Sequence, residues 1–333
     1  MHFPKCVAPH TRWIYSRPTS RQDWGVSGAV FHSFLPHAGW PDGMMRLPYR
    51  AYGRQGEPAM RVSAHRHMIA ENHDNRQRSA FSPSGSYAGE LRRIGELLGR
   101  GQWRTAAHRA SSLRANFWNF EVRGNARRVE CPCCGWQGPA FVSLSNWRAV
   151  QHNSRCPNCD SRSRHRGLTI LLPKLLAGMP DGPMLVFAPE AALLELVRRH
   201  ARGGVETTDY LMEEVDHPGE DIQALSFAAN SYAALMCNHV LEHIPDDRAA
   251  LAECARVLMP GGIAVFTIPG NYDQRATRYF DTPDPNGHLR HYGLDVVDKM
   301  RASFSRAEAI DMSAGTDPRW HIHPGDMAFV CYK

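Results

Sequence analysis

Apolar residues first settle into a regular spacing after residue 87, and that spacing is helical. From Tyr87 to about Phe120 they recur three and four positions apart, the pattern of an amphipathic helix face. The residues at this spacing are Leu91, Ile94, Leu97 and Leu98. Gly99 and Gly101 are expected to end the helix, because glycine readily adopts the left-handed conformation found at helix C-termini. A second helix is predicted from Trp103 to Phe117.

Beyond residue 167 the pattern changes to short apolar runs that alternate with helical segments. Strands are predicted at 184–187, 205–209, 232–237, 263–268 and 326–332, and helices at 191–199 and 248–258. Such alternation is typical of a parallel sheet with helices on both faces. We therefore predict an α/β fold over residues 167–333, with a doubly wound, Rossmann-like sheet.

Residues 1–86 show no lasting hydrophobic period. They are rich in Pro, Gly, Ser, Arg and His, a composition that favours disorder. An untranslated leader, with a true start at Met60 or Met68, is the sharper hypothesis for the same composition. The predicted organisation is a disordered tail or misassigned leader at 1–86, a helical segment at 87–128, a cysteine-rich module at 129–166 and the α/β domain at 167–333.

Composition narrows the class of protein without naming a partner. The 333 residues fit about two domains, and a formal net charge of +6 is too mildly basic to indicate nucleic-acid binding by itself. The most apolar stretch, Leu168–Met179, is interrupted by Pro173 and Lys174 and is shorter than a membrane span. The N-terminus lacks the apolar run of a secretory signal. A cytoplasmic location and no membrane partner are therefore expected.

Four of the nine cysteines form two C-P-x-C pairs, Cys131 with Cys134 and Cys156 with Cys159. Two such pairs supply four thiolates for a tetrahedral zinc ion, and a filled tetrahedron leaves no position for a catalytic water. We therefore expect a structural Zn²⁺, with a redox C-x-x-C pair as the alternative. Cys133 has poor geometry for a ligand because it adjoins Cys134, and it is expected to be a spare thiol.

A basic run follows the second cysteine pair. It reads Ser-Arg-Ser-Arg-His-Arg over residues 161–166. Beside a metal module, such a run can grip the phosphates of a nucleic acid. A solvated surface face is the alternative, and the sequence leaves both open.

An acid stands at the end of the second predicted strand of the α/β domain. Asp209 lies about 20 residues beyond the first strand, where doubly wound nucleotide-binding folds place an acid that accepts hydrogen bonds from ribose hydroxyls. Its position predicts a nucleotide-like cofactor at the carboxyl ends of these strands.

Residues 237–269 read CNHVLEHIPDDRAALAECARVLMPGGIAVFTIP. This stretch closely resembles the fourth and fifth strand region of class I S-adenosylmethionine-dependent methyltransferases, of the type 11-like kind that mostly acts on small molecules. The C-P-x-C pairs, the R-H-R run and Gly287–Gly293 are similar to a bacterial group of methyltransferases with an N-terminal zinc ribbon. The resemblance covers roughly residues 129–333. It implies S-adenosylmethionine as cofactor and a last strand that runs antiparallel at the sheet edge.

The resemblance also implies which residues hold the cofactor. Asp209 would bind the ribose, Asp221 and Ile222 would flank the adenine, and Asn238 would face the methionine part or the reacting methyl group. The turn after the first strand, Ala188-Pro189-Glu190, departs from the class because it contains no glycine. Cofactor binding at this turn is therefore expected to rest on its acid and its backbone groups.

Histidines are the candidates for a general base, since imidazole titrates near neutral pH. They are His239, His243 and His288, and packing or capping is the alternative role of His243. The polar segment after residue 269 is expected to form a lid and acceptor wall, with a surface hairpin as the alternative. Within it, Arg290 and Tyr292 are candidates to bind an anionic or hydroxylated acceptor.

Three functions follow from these features. The first is methyl transfer to a small-molecule or sugar acceptor. The second is an RNA methyltransferase that docks RNA through the cysteine module and the basic run. The third is a non-catalytic ligand-binding descendant, which the missing glycines favour.

Overall fold

The computed structural model describes residues 87–124 and 126–333, which all belong to one structural unit. The predictions of disorder and of a start at Met60 or Met68 lie outside these residues. None of the helices in the described ranges is long and apolar enough to cross a bilayer.

The two predicted helices form with the predicted bounds. Helix α1 spans Tyr87–Gly99 and α2 spans Trp103–Phe117, followed by a π-helical turn at Trp118–Val122. Gly101 has φ +71°, so the left-handed stop that was expected after α1 is present. The apolar face of α1 is nevertheless largely exposed, with Leu98 at 56% of its full exposure. The helical period therefore predicted the element correctly, although the described residues do not cover its apolar face.

The cysteine module is built from two short antiparallel strand pairs. β1 (Val129–Glu130) pairs with β2 (Gln137–Gly138), and β3 (Val142–Ser145) pairs with β4 (Val150–Arg155). Its small core consists of Val129, Cys131, Phe141 and Cys156. With so few buried apolar groups, the module depends on additional links for its stability.

The rest of the chain alternates strands and helices, as expected. Its helices are α3 (Ser163–Leu176), α4 (Ala191–His200), α5 (Asp247–Val257) and α6 (Val296–Arg301). The strands are β5 (Met184–Phe187), β6 (Val205–Asp209), β7 (His217–Pro218), β8 (Tyr232–Asn238), β9 (Leu258–Thr267), β10 (Arg278–Tyr279), β11 (Arg290–His291), β12 (Arg306–Asp311) and β13 (Met327–Tyr332). Single 3₁₀ turns lie at Leu241–His243 and Pro318–Trp320.

Seven of these strands form one sheet in the order β12-β13-β9-β8-β5-β6-β7. The strands from β9 to β7 are parallel, whereas β13 is antiparallel to both of its neighbours. The last strand is therefore antiparallel as expected, but the prediction that it lies at an edge is wrong. The half-exposed strand β12 was not predicted, and it covers the outer side of β13.

Side chains that alternate along β8 separate the two layers of the core. Leu235 and Cys237 face the cluster beneath α5 and α6, whereas Ala234 and Met236 face the cluster beneath α3 and α4. All seven residues of β8 are buried, as expected for a parallel strand with helices on both faces. Since β5 pairs with β8 and β6 on opposite sides, the chain changes direction across the sheet at β5. Ligands of open α/β sheets bind outside the carboxyl ends of the strands at this kind of junction.

Candidate functional site

The glycine-free turn lies at the carboxyl end of β5. Ala188 has φ +45°, in the left-handed region, and its N–H donates to the carbonyl of Thr208 at 2.9 Å. An L-residue with a Cβ atom pays about 1–2 kcal/mol for this conformation. The turn thus follows a backbone path that suits glycine, and Pro189 leads it into α4 with Glu190 as the N-cap residue.

The carboxylate of Glu190 is held by the start of α3. It accepts from the guanidinium of Arg164, and its Oε2 lies 2.9 Å from His165 Nε2, off the line of a good hydrogen bond. Burial would raise the pKa of Glu190, but the guanidinium of Arg164 and the adjacent ring of His165 outweigh it and hold that pKa well below its ordinary value. The side chain is therefore committed to an internal ion pair. This differs from its predicted cofactor contact and leaves the backbone of the turn for a ligand.

Two arginines of the basic run make internal contacts that neither interpretation of the run expected. Arg166 is fully buried, and its guanidinium lies 4.0 Å from the ring centre of Phe141. It donates to five backbone carbonyls, those of Asn153, Ser154, Ser161, Trp320 and His321. Arg166 therefore attaches the cysteine module to α3 and to the 320–321 turn, while Arg164 is paired with Glu190. Arg164 and Arg166 are therefore neither a solvated face nor an open phosphate grip, whereas Arg162 is partly exposed.

Asp209 and Asp221 shape turns near the carboxyl edge of the sheet. Asp209 Oδ1 accepts from the N–H groups of Leu211 and Met212 at 2.7 and 2.8 Å. Asp221 Oδ1 accepts from the N–H of the residue two positions on, at 2.9 Å. Ile222 is buried at 3% exposure and packs in the core beside β5. The structure therefore places both acids at the predicted edge, whereas the side chain of Ile222 faces the core.

The chain turns sharply after β8. Asn238 is buried, and its Oδ1 accepts from the hydroxyl of Thr267 at 2.9 Å. His239 has φ +53°, and its Nδ1 lies 3.4 Å from Glu242 Oε1. The charge of His239 also contributes to the lowered pKa of Glu190. The turns after β5 and β8 therefore meet at the same edge.

The loop after β8 also contacts the polar segment that follows β9. His243 Nδ1 lies 3.0 Å from the carbonyl oxygen of Gly287, and the rings of His243 and His288 are 5.0 Å apart. Burial lowers the pKa of His288 to about 4, against the opposing charge of Asp284, whose Oδ2 lies 3.4 Å from His288 Nδ1. His288 is therefore neutral near pH 7. The structure brings all three predicted histidines close to the carboxylate of Glu242.

Arg148, which sequence reasoning missed, links the cysteine module to this segment. Its Nη1 donates to His291 Nε2 at 2.6 Å, and its Nη2 lies 3.1 Å from Asp284 Oδ2. No local pattern joins residues so distant along the chain. The only signal was the Asp-x₃-His-x₂-His spacing of 284–291, which groups an acid with two histidines.

Arg290 and Tyr292 lie in the interior, with 3% and 1% exposure. Arg290 Nη1 lies 2.7 Å from Asp247 Oδ2, and the hydroxyl of Tyr292 donates to the same oxygen at 2.9 Å. Lys299 Nζ also contacts it at 2.6 Å. This buried network anchors β11 to α5. It removes both side chains from the acceptor contact predicted for them.

The four cysteines of the two pairs converge. Their sulfur atoms all lie within 4.8 Å of one another, with 3.7 Å between Cys131 and Cys159 and 3.8 Å between Cys134 and Cys156. Tetrahedral thiolates around zinc at 2.3 Å are about 3.8 Å apart, so the sulfur positions fit the ion. Cys133 lies at the border of this set, with its thiol 3.1 Å from the hydroxyl of Thr169.

Comparison with known proteins identifies the central segment. Residues 186–266 match the family model of the methyltransferase domain. The ubiquinone biosynthesis O-methyltransferase of Xanthomonas oryzae pv. oryzae is 37% identical over 75 residues, which cover 22% of this chain and 28% of that protein. The protein of the same name from Pectobacterium atrosepticum is 31% identical over 74 residues, with 22% and 28% covered. The chain thus spans less than a third of the length of these relatives.

About half of the chain is similar to solved methyltransferase structures. The 1,6-didemethyltoxoflavin-N1-methyltransferase of Burkholderia thailandensis is 14% identical, with 51% of this chain and 78% of that chain covered and a TM-score of 0.39. The CurJ carbon methyltransferase is 15% identical, with 52% and 55% covered and a TM-score of 0.39. It is the family match and the curated relatives that support the methyltransferase class expected from residues 237–269.

Proposed function

We propose that this chain is an S-adenosylmethionine-dependent methyltransferase that acts on a small-molecule or sugar acceptor. The observation that carries the proposal is the junction of β5 and β8. There the matched segment brings two left-handed turns, at Ala188 and His239, to the carboxyl edge of the sheet. The curated relatives are named as O-methyltransferases of ubiquinone biosynthesis, which favours a hydroxyl group as the acceptor.

The cofactor would lie across the ends of β5, β6 and β8. Asp209 uses Oδ1 to hold its own turn, and Oδ2 is the oxygen proposed to accept from a ribose hydroxyl. The left-handed turn at Ala188-Pro189-Glu190 offers backbone groups at close range, and Asp221 borders the adenine side. The methionine part would face Asn238 and His239. S-adenosylmethionine, when bound, supplies the electrophilic methyl group.

The chain's own part in the reaction is alignment and proton removal. In-line attack requires the acceptor oxygen to face the methyl carbon, which positioned groups achieve at a large gain in effective concentration. His239 is the proposed base because it lies at the end of β8 with the Glu242 carboxylate 3.4 Å from its Nδ1. That carboxylate stabilises the imidazolium ion formed when the ring takes a proton. His288 is neutral near pH 7 and is the second candidate.

Calorimetric titration with S-adenosylmethionine and with its demethylated product tests the proposal. Asp209→Asn keeps the Oδ1 acceptor of the turn but replaces Oδ2 by an amide donor. Loss of a hydrogen bond to a charged group, about 1.5–3 kcal/mol, predicts roughly ten- to hundredfold weaker binding. Glu195→Gln, on the exposed face of α4, is the matched control and should bind like the parent. Absence of binding, or an Asp209→Asn variant that binds like the parent, would overturn the assignment.

We also propose that Cys131, Cys134, Cys156 and Cys159 hold a structural zinc ion. Four thiolates and Zn²⁺ sum to a charge of −2, and the buried cation Arg166 lies close enough for Cys131 to influence its pKa. Metal analysis should find one zinc per chain in this module, lost in Cys156→Ser and kept in Cys133→Ser. A parent protein without zinc would reject the site. The RNA-docking alternative is not favoured, because Arg166 of the basic run that motivated it is buried and Arg164 is ion-paired.

A further inference from the structure

The helix pair α1–α2 presents an apolar face that no other described residue covers. On α1, Leu91 and Leu98 are seven residues apart, and on α2, Trp103 and Phe117 are fourteen apart. Each pair therefore lies along one side of its helix. All four side chains are between 50% and 71% exposed. We propose that this face docks on the surface of an anionic lipid membrane. The docking does not depend on the proposed methyl transfer.

The apolar stripes of the two helices adjoin each other. The ring of Tyr87, at the start of α1, packs edge-on against Phe117 at the end of α2, with 5.8 Å between the ring centres. Leu91 follows Tyr87 by one helical turn and lies on the same side of α1. At the other end of the pair, Trp103 begins α2 just after the turn that follows Leu98. The apolar side chains of the two helices therefore border one extended face.

The other side of α2 is fixed to the cysteine module. Asn116 exchanges two hydrogen bonds with the backbone of Ser143 in β3, at 2.7 and 3.0 Å. The hydroxyl of Ser112 donates to that of Ser145 at 3.2 Å. At about 100° per residue, Ser112 lies roughly 180° around the helix from Trp103. The apolar face thus points away from the cysteine module, which holds the helix pair in place from behind.

The charge of this segment indicates the kind of surface that the face fits. Residues 87–128 contain nine arginines and three glutamates, so their formal charge of +6 equals that of the whole chain. Two of the glutamates are already paired with arginines of the same helices. Arg100, Arg104 and Arg114 are exposed and form no ion pair with another described residue. The positive charge of the chain is therefore concentrated beside its exposed apolar face.

This combination of side chains fits the interface of an anionic bilayer. Leucine, tryptophan and phenylalanine insert at the boundary between headgroups and acyl chains, while arginines beside them attract the lipid phosphates. A nucleic acid would stack on the aromatic rings but offers no apolar contact to Leu91 and Leu98. A second copy of the same face would bring like charges together. The contact is with the membrane surface and needs no spanning helix, and it differs from the sequence-based expectation of no membrane partner.

Co-sedimentation of the full chain with lipid vesicles tests the proposal. We expect binding to vesicles of equal parts phosphatidylcholine and phosphatidylserine, weaker binding as salt rises, and little binding to phosphatidylcholine alone. Leu98→Ser and Trp103→Ser should each weaken binding about tenfold, because a large apolar side chain no longer enters the interface. Leu294→Ser, exposed outside the helix pair, is the matched control and should bind like the parent. Circular dichroism checks that each variant is folded.

A double variant tests the part played by charge. Arg104→Gln with Arg114→Gln should weaken binding to the anionic vesicles roughly twentyfold, at about fivefold per arginine. Arg198→Gln, exposed on α4, should bind like the parent. Absence of vesicle binding by the full chain, or equal binding by Leu98→Ser and its control, would overturn the proposal. A full chain that binds single-stranded RNA or a second copy of itself, but no vesicles, would also overturn it and assign the face to that partner.

Discussion

Arg166 gives the sharpest test of how the cysteine module is attached to the α/β domain. In Arg166→Met an unbranched apolar stem remains, but the donors to five backbone carbonyls are lost. Two of these carbonyls keep another donor, since Ser161 O accepts from the N–H of Cys156 and His321 O accepts from the Ser163 hydroxyl. For the other three carbonyls, those of Asn153, Ser154 and Trp320, the guanidinium is the side-chain donor that the substitution removes.

The expected cost follows from these three groups. A buried acceptor that loses its partner costs about 1–3 kcal/mol, while removal of the buried charge returns part of its desolvation penalty. A net loss of about 4 kcal/mol in the free energy of unfolding is expected, within the range of about 3–5 kcal/mol for a broken buried charge network. For a domain of this size that lowers Tm by about 8–16 °C.

Thermal unfolding followed by tryptophan fluorescence measures this effect, and release of zinc to a coloured chelator reports on the module itself. Arg198→Met, at an exposed position of α4, is the matched control. Arg166→Lys should recover only part of the loss, because an ammonium group has three donors and cannot reproduce the planar fork. If Arg166→Met unfolds within about 1 kcal/mol of the control, the buried guanidinium does not have the role described.

Three further predictions concern other charged groups. Asp247→Asn leaves the buried guanidinium of Arg290 and the partly buried ammonium of Lys299 without their carboxylate and should cost about 3 kcal/mol in urea unfolding. Arg148→Ala should raise the pKa of His291, measured by NMR, because burial chiefly lowers that pKa and the charge of Arg148 lowers it further. Burial also lowers the pKa of His165 in the folded protein. As pH falls below about 6.5, the unfolded chain therefore binds a proton before the folded protein does, and the free energy of unfolding decreases. In His165→Asn this acid loss should be shallower by up to about 1.4 kcal/mol per pH unit.

Each of these predictions has a matched control. Asp298→Asn, at an exposed ion pair, should change stability by less than about 1 kcal/mol. Arg278→Ala, exposed on β10, should leave the titration of His291 nearer to that of the parent. An Asp247→Asn variant as stable as its control, an unchanged imidazole titration in Arg148→Ala, or the same pH dependence in His165→Asn would each contradict the corresponding contact.

Local features were the ones that sequence could predict. The period of apolar residues located α1, α2, β5, β6 and β8, since each depends on neighbours along the chain. The C-P-x-C spacing likewise predicted which four cysteines converge in the structure. Helix α5 was predicted from Arg248 but begins one residue earlier, at Asp247. Its start is fixed by the side chain of Asp246, which caps the helix by accepting from the N–H groups of Arg248 and Ala249. Pro260-Gly261-Gly262 belongs to β9, because the helix has already ended at Val257.

Burial of charged residues was beyond the reach of such patterns. Arginine is rarely buried unless it is paired, so Arg166 and Arg290 suggested surface or ligand contacts. Their partners, backbone carbonyls for one and Asp247 for the other, come from distant parts of the chain. The contact of Arg148 with Asp284 is of the same kind. Only the folded arrangement shows that these cations are part of the framework.

The position of β13 between β12 and β9 has a consequence for how the protein folds. Strand β9 ends at Thr267, yet the strand that covers its outer side begins only at Met327. Until that later segment docks, the apolar edge of β9 is open, and open edges are templates for pairing with another molecule. Yield on refolding should therefore fall steeply with protein concentration. Substitutions that slow the docking of β12 and β13 should promote aggregation even where the native state is as stable as before.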